Sequence, residues 1–320
     1  MTDKKVAVVG GGLAGVTAAC ELSRAGAEVT VFEKSRGLGG RLATRRMDGS
    51  FSADHGAQYF TARSPEFRDY LRNASGLGAV QTWLPDARGH ADGQDWFVGT
   101  PAMNSFLKTE PLGFDLKVST HVATVAATET GVELTMMDGS TQAFDQAIIT
   151  APAPQTEAML VGAHPDMAAA LAAVEIAPNW TLMLVFEEEL DPGFTVWREA
   201  HPVLGWVARN SSKPGRDFSG DSWTVQATAD WSTEYLELEK EDAAARLFDA
   251  FQALVGSELP PLRMQTAHRW RYAKTITPLG QPFLKDASGR IYVAGDWCLG
   301  ARVEYAFESG RAAAQAMIAL

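Results

Sequence analysis

Cysteine is scarce in this 320-residue chain: there are two, Cys20 and Cys298, and they form no C-x-x-C pair. That removes a dithiol redox centre and a thiolate zinc site, and it suits a reducing, cytoplasmic compartment. The six histidines are scattered without metal-ligand spacing, so no metal is expected. No apolar run is long enough to span a bilayer. Lys4-Lys5 and the apolar stretch to Cys20 imitate a secretory signal. Cleavage there would delete the glycine turn described next, so the segment reads as strand and helix. Basic residues are in deficit, 28 against 39 acidic ones, for a net charge of −11. That balance argues against nucleic acid or an anionic membrane as partner. No block of five or six like charges occurs, and no repeat or low-complexity tract. With 46% hydrophobic and 21% charged residues the chain has the composition of a soluble globular protein of one large or two ordinary domains.

What is present begins at the N-terminus. Val6-Ala7-Val8-Val9 runs into Gly10-Gly11-Gly12-Leu13-Ala14-Gly15, and a second apolar run closes on Glu33. Strand, glycine turn, helix, strand, acid is the fingerprint of a dinucleotide site. Gly10 permits the tight turn, Gly12 lets a pyrophosphate approach the backbone, and Gly15 brings the helix close to the sheet. The helix over 13–25 aims the N–H groups of Leu13 and Ala14 and its positive end at the phosphates. Glu33 follows Gly15 by 18 residues, where a carboxylate accepts from a ribose diol, favouring FAD or NAD over NADP.

Further along, 77–100 is rich in Gly, Pro and Asp and reads as an excursion from the nucleotide layer, followed by a short helix over 100–110. A meander is expected over 117–126, 132–137 and 146–150, with a hairpin turn at Asp138-Gly139. Strands are expected over 180–187, 195–198, 205–209, 223–229 and 262–272, a helix over 240–255, a short buried strand over 291–294 and a last helix over 302–320. Five of the nine tryptophans fall between Trp180 and Trp231. The ends of the chain thus make a parallel nucleotide-binding sheet and the middle a mainly antiparallel sheet. The expected division is a discontinuous cofactor domain over 1–76, 100–155 and 286–320, and a substrate domain over 77–99 and 156–285. The expectation is that the two chain ends clasp one cofactor while the central sheet covers its reactive face.

Three more strings extend the fingerprint. Glu33-Lys34-Ser35-Arg36-Gly37-Leu38-Gly39-Gly40-Arg41-Leu42 follows the ribose acid; Arg36 and Arg41 offer charge-assisted hydrogen bonds to an anionic cofactor. Asp54-His55-Gly56-Ala57-Gln58-Tyr59-Phe60 comes next, and Ile291-Tyr292-Val293-Ala294-Gly295-Asp296-Trp297 ends a strand just before the last helix. Together they resemble the amine oxidase and phytoene desaturase superfamily of flavoproteins. The resemblance implies an α/β fold: a Rossmann-type FAD-binding domain, of the amine oxidase and p-hydroxybenzoate hydroxylase kind, with an interleaved, mainly antiparallel substrate domain. It implies that Lys34, Gly39, Gly40, Leu42 and Val122 line the cofactor, and that Gly56, Ala57, Gln58 and Tyr59 run past the flavin ring. Asp296 would bind the ribityl chain, and Arg302, Val303 and Ala306 would open the last helix near the flavin pyrimidine. No second G-x-G-x-x-G sits between a strand and a helix, so no separate NADPH domain is expected.

Within that superfamily the middle strings Ala208-Arg209-Asn210, Ser212-Lys213-Pro214, Ala267-His268-Arg269-Trp270 and Gly295-Asp296-Trp297-Cys298-Leu299 resemble bacterial renalase-like proteins. The chain departs from them at Gln226-Ala227-Thr228, where the pattern has His before Ala-Thr. The resemblance implies an FAD-dependent oxidase that takes hydride from isomeric dihydro-NAD(P), the 2- or 6-dihydronicotinamide forms, and gives H2O2 with O2. A dihydropyridine losing hydride becomes an aromatic cation, so the protein's task is positioning rather than proton transfer. Tyr59, Trp270 and Tyr272 are candidates for an aromatic wall, or for plain core. Arg209 and Asn210 are candidates for contacting the substrate, or for a strand-end pair; Gln226 marks the altered position. An amine oxidase using a lysine-held water, with Lys213 or Lys274, and a non-catalytic flavin-binding redox module remain as alternatives. FAD is expected to be non-covalent, with Cys298 the nearest thiol.

Overall fold

The computed structural model describes residues 1–47, 51–89, 93–109, 113–199, 201–216, 220–256 and 258–320. The chain forms two compact units: Met1–Gly40, Glu110–Ile176 and Thr275–Leu320 make one, Arg41–Thr109 and Ala177–Lys274 the other. This partition differs from the expected boundaries at 41–76 and 100–109, which fall in the second unit, and at 156–176 and 275–285, which fall in the first. Within the second unit, the buried side chains of Asn210 and Thr224 hydrogen-bond to the backbone of the hairpin strand Ser52–Asp54.

In the first unit a six-stranded sheet runs in the order Leu284–Lys285, Ile291–Val293, Gln146–Ile149, Lys5–Val9, Glu28–Phe32, Asp115–Lys117. All neighbours are parallel except the first pair. Its central strands are apolar runs buried on both faces, the signature of a parallel sheet covered on two sides. The helices Leu13–Arg24 and Val303–Ile318 meet closely: a Cβ on Gly310 would lie 2.2 Å from the Ala14 carbonyl oxygen. A separate antiparallel sheet is formed by Val122–Ala127, Val132–Met136 and Thr141–Phe144. Here the structure corrects the expectation for 146–150. Gln146–Ile149 is no leg of the meander but a fully buried strand beside Lys5–Val9. The meander's third strand is the polar, largely exposed Thr141–Phe144, whose sequence carries no apolar alternation.

The second unit is built on a sheet in the order Leu262–Thr277, Glu175–Phe186, Asp221–Ala227, Leu204–Arg209, Val196–Arg198, Ala87–Arg88. The amphipathic helix Lys240–Val255 buries Ala243, Leu247 and Phe251 in one core with Trp180, Leu184 and Trp223 of the sheet. At 100–110 only the 3-10 turn Ser105–Lys108 forms; Pro101 removes one backbone donor, the Ser105 hydroxyl takes the Ala102 N–H, and Glu110 lies outside the described residues. The strand expected over 223–229 stops at Ala227, because Thr228 caps a short helix, Ala229–Glu234, by accepting from Trp231 N.

Candidate functional site

In the first unit, the turn after Lys5–Val9 is shaped by contacts only glycine allows. Gly10 has φ +109°, and a Cβ on Gly15 would fall 1.9 Å from the Gly10 carbonyl oxygen. Gly12 differs, because nothing lies within 4 Å of where its Cβ would be. The helix after it starts without a side-chain cap, so the N–H groups of its first turn, beginning at Leu13 and Ala14, face that opening. The loop after Glu33 folds back on the turn: Gly39 N donates to Gly11 O at 2.9 Å, and Gly40 has φ +52°. Glu33 is buried, and its carboxylate accepts from Gly11 N and Ser35 N, each at 2.7 Å, and from the Ser35 hydroxyl. The sequence reading assigned no role to Ser35 or Thr150. Thr150 Oγ1 donates to Val9 O and Gly10 O, both at 3.1 Å, and so locks the turn from the neighbouring strand. A small hydroxyl residue at a strand end offers no signal of that task.

An open backbone cradle, an uncapped helix start and a fixed buried carboxylate are the donor and acceptor set that a dinucleotide's pyrophosphate and ribose require, so the residues fit FAD. Lys34 lies elsewhere, with its ammonium 3.0 Å from Gln155 Oε1. Arg36 is exposed, and Val122 is buried in the core. At the second string, Gly295 takes φ +158° and donates from N to Ser309 Oγ at 2.8 Å, while Asp296 is buried with Thr275 at its carboxylate. Arg302 precedes the last helix with its guanidinium 5.9 Å from the Tyr305 ring, and Val303 and Ala306 are half-buried in its first turn. Cys298 is wholly buried, and burial pushes its thiol up to about 12.

In the second unit, Asp54–Tyr59 is held as a rigid strip. A Cβ on Gly56 would lie 2.0 Å from Arg41 O, which also accepts from Ala57 N, and Arg41 Nη1 reaches Ala273 O; Leu42 beside it is buried. Side chains of the sheet hold the strip's backbone. Asn210 Oδ1 accepts from Asp54 N, Thr224 Oγ1 donates to Asp54 O, Trp270 Nε1 to His55 O at 2.7 Å, and Gln226 Nε2 to Gly56 O at 2.8 Å. Asn210 is fully buried and bonded to Ser52, Asp54 and Ser222, which cross-links the strip to the sheet. Arg209 is engaged by Asp221 at 2.9 Å and Glu189 at 2.8 Å, the strand-end pairing. Gln226 and Trp270 brace the strip. Tyr272 is half-buried on the same strand face as Trp270. Tyr59 stacks on Trp96 and Trp206.

A buried charge cluster anchors the strip. The Asp54 carboxylate meets Arg216 Nη2 at 2.8 Å and Lys213 Nζ at 3.1 Å and accepts from Thr44 Oγ1; Lys213 also donates to Gln58 Oε1 at 3.1 Å. All three charged side chains are fully buried. Burial alone would raise the Asp54 carboxyl, but Lys213, Arg216 and Thr44 hold it well below the usual carboxylate range. Burial lowers Lys213 to about 8 against the pull of Asp54. Next to it, burial, helped by His268 and Arg45, lowers His55 to about 4, and burial with Arg45 does the same to His268. No cluster of potential metal ligands occurs among the described residues, nor a helix long and apolar enough to cross a membrane.

Residues 91–318 match the family described as flavin containing amine oxidoreductase, and 8–74 match the NAD(P)-binding Rossmann-like domain. The chain belongs to the flavin-containing amine oxidoreductase family. FAD is the cofactor of that family, and the fold comprises its Rossmann-type α/β domain and a second, mainly antiparallel sheet; the chain spans less than a sixth of the length of the curated relatives named below. The amine oxidoreductase fold recurs in a putative protoporphyrinogen oxidase from Exiguobacterium sp. 255-15, at 14% identity over 100% of this chain and 99% of that one, with a TM-score of 0.78. It recurs in cyclohexylamine oxidase from Brevibacterium oxydans IH-35A, at 14% identity over 99% of both chains, with a TM-score of 0.77. Among curated relatives, 60 residues are 43% identical to a carotenoid 3,4-desaturase of Haloarcula japonica, covering 19% of this chain and 12% of that protein. Over 77 residues the chain is 36% identical to a 4,4'-diapophytoene desaturase of Staphylococcus aureus, covering 21% of this chain and 15% of that protein.

Proposed function

We propose that the protein is an oxidase of isomeric dihydro-NAD(P), taking the 2- or 6-dihydronicotinamide forms to NAD(P)+. When bound, FAD supplies a two-electron acceptor at N5 that O2 regenerates with release of H2O2. The observation that carries the reading is the absence of a poised base along the Asp54–Tyr59 strip. The Asp54 carboxylate is bound to two cations, Gln58 is bound to Lys213 and to backbone, and His55 is buried and stays neutral down to about pH 4. A dihydropyridine loses hydride and becomes aromatic with no proton to shed, whereas a protonated amine must first give one up. The residues that remain are suited to positioning: Asn210, Thr224, Gln226 and Trp270 fix the backbone of the strip, and Tyr59 supplies a ring.

Amine oxidation is the second reading, favoured by the family itself. Of the two lysines considered for a held water, Lys213 is bound to Asp54 and Gln58, and Lys274 is exposed. Anaerobic mixing of the FAD-loaded protein with 2- or 6-dihydro-NAD, and separately with an amine panel, decides. The expected result is rapid bleaching of the flavin by the dinucleotides and none by amines. Bleaching by amines alone overturns the proposal in favour of the second reading, and bleaching by neither favours a non-catalytic redox module.

A further inference from the structure

Beside the Asp54–Tyr59 strip, within the second unit, three rings come together. His55 lies edge-on to His268 with ring centroids 4.8 Å apart, and Trp270 is 5.0 Å from His55 and 4.5 Å from His268. His55 is 7% exposed, and its Nδ1 is buried with no hydrogen-bond partner among the described residues. A second polar atom in the same condition stands close by: Thr266 Oγ1 is buried and has no partner among those residues either. Thr266 and His268 are two apart on the strand Leu262–Thr277, so they share a face and stand about 6.6 Å apart. Ala267 between them packs into the core with the helix Lys240–Val255, so Thr266 and His268 point to the other side of the sheet, where His268 meets His55. Buried polar groups are costly to leave unpaired, and one shared partner would satisfy both atoms.

The charges around the rings decide what that partner is. Burial disfavours the protonated form of both imidazoles. His268 and Arg45 add to this at His55, and Arg45 and Lys240 add to it at His268. Arg45 is half-buried in the hairpin strand Thr44–Arg46. Asp54 and the Ala43 backbone act the other way on His55, but the Asp54 carboxylate is already held by Lys213 and Arg216. The spot is therefore positive in a chain whose net charge is −11. A metal ion would meet like charge, and no cluster of metal ligands occurs among the described residues. Water would satisfy the polar atoms and leave the field uncompensated. A small anion does both: it accepts from the Thr266 hydroxyl and from a hydrogen-bearing imidazole nitrogen, and it balances Arg45.

We propose that Thr266, His55, His268 and Arg45 hold one small monovalent anion, of the halide or formate class, inside the second unit. The site stands independently of the dihydro-NAD(P) reading. Binding is tied to protons, because an anion beside the rings favours their charged form. A proton is taken up with the anion, and affinity tightens as pH falls, by about tenfold per pH unit while one proton is gained. The groups that set this balance are His55, His268, Arg45, Lys240 and Asp54.

The test melts the FAD-loaded protein at constant ionic strength in chloride and in gluconate, an anion too large for the interior. Chloride is expected to raise Tm over gluconate in a saturable way, with an apparent Kd at least about tenfold tighter near pH 5.5 than near pH 7.5. In NMR titrations chloride should move two of the six histidines to higher pH, and His55→Gln and His268→Gln should each remove one of them. Thr266→Val keeps the shape and drops the hydroxyl. It is expected to weaken chloride at least about fivefold while its Tm in gluconate stays equal or rises, because an unpaired hydroxyl is gone; a merely structural role for Thr266 would lower both melts alike. Arg45→Gln should lose the chloride response as well, and it covers the case in which the Val variant does not fold. Coinciding chloride and gluconate melts in the wild type overturn the proposal and leave water as the shared partner. An unchanged chloride response in Thr266→Val overturns it too, and stabilisation by zinc without any by chloride assigns the rings to a cation instead.

Discussion

Two cations and one carboxylate share the interior at Asp54, and the imbalance makes the partners unequal. Removing the acid leaves Lys213 and Arg216 buried against each other; removing the lysine leaves a balanced pair. Asp54→Asn is therefore expected to cost about 3–5 kcal/mol, a fall in Tm on the order of 10 °C, and Lys213→Met less than about 1.5 kcal/mol. Thermal unfolding of the two variants checks the order, and equal losses would refute it. Acid acts on the neighbouring imidazoles. His55 and His268 protonate near 4 when folded against 6.5 ordinarily, so between those values the unfolded chain holds more protons and stability rises with pH. Tm is expected to climb from pH 4 to 6.5, and His55→Gln to flatten that limb; an unchanged slope in the variant would discard the assignment. Cys298 bears on the flavin linkage. A thiol pushed up to about 12 and wholly buried is a poor nucleophile, so acid precipitation should leave the yellow colour in the supernatant. Colour retained in the pellet would show a covalent bond.

At the scale of elements, three glycines look alike in sequence and do different work. Gly12→Ala adds a methyl where the protein has no atom within 4 Å, Gly15→Ala drives one into the Gly10 carbonyl at 1.9 Å, and Gly310→Ala into the Ala14 carbonyl at 2.2 Å. The first should fold with an unchanged Tm in the absence of cofactor and bind FAD at least tenfold more weakly, because only the pyrophosphate competes for that space. The other two should lower the Tm of the cofactor-free protein, by about 2–4 °C for each kcal/mol of strain. Flavin titration beside thermal melts separates the outcomes, and tight FAD binding by Gly12→Ala would contradict the cradle. The Gly10–Gly15 turn, Glu33 and the Gly295-Asp296 strand end were legible in the sequence because each is a short segment whose local geometry admits few residue types. The bracing of Asp54–Tyr59 was not. Asn210, Gln226 and Trp270 were singled out as pocket residues from their position in the chain, yet their polar atoms reach backbone more than 150 residues away. Such pairings are set by strand register across the sheet, which no local pattern encodes. The same holds for Gln146–Ile149, whose apolar run fits a meander or a buried parallel strand equally well until its neighbour is known.

At the scale of the whole molecule, the chain crosses between its units repeatedly. The first unit gathers three separate segments, and the C-terminal one supplies the strand Ile291–Val293 and the helix that rests on Leu13–Arg24. The dinucleotide fingerprint is therefore complete in sequence by Glu33 but incomplete in structure until the last 30 or so residues are made. A chain ending before Ile291 keeps every residue of the first fingerprint and loses a sheet partner of Gln146–Ile149 together with the Gly310 contact. It is expected to be colourless and to take up no added FAD. In the full chain a ligand that binds only the folded state raises stability by about 2.7 kcal/mol at a hundredfold excess over its Kd. Removing the flavin should therefore lower Tm by about 5–10 °C, with full recovery on adding FAD and a smaller one on adding NADP+, whose extra phosphate would face the buried Glu33 carboxylate. Equal rescue by NADP+ would overturn the assignment of Glu33 to an unphosphorylated ribose while leaving the fold intact, so the melt reports on the cradle and the truncation on the architecture that completes it.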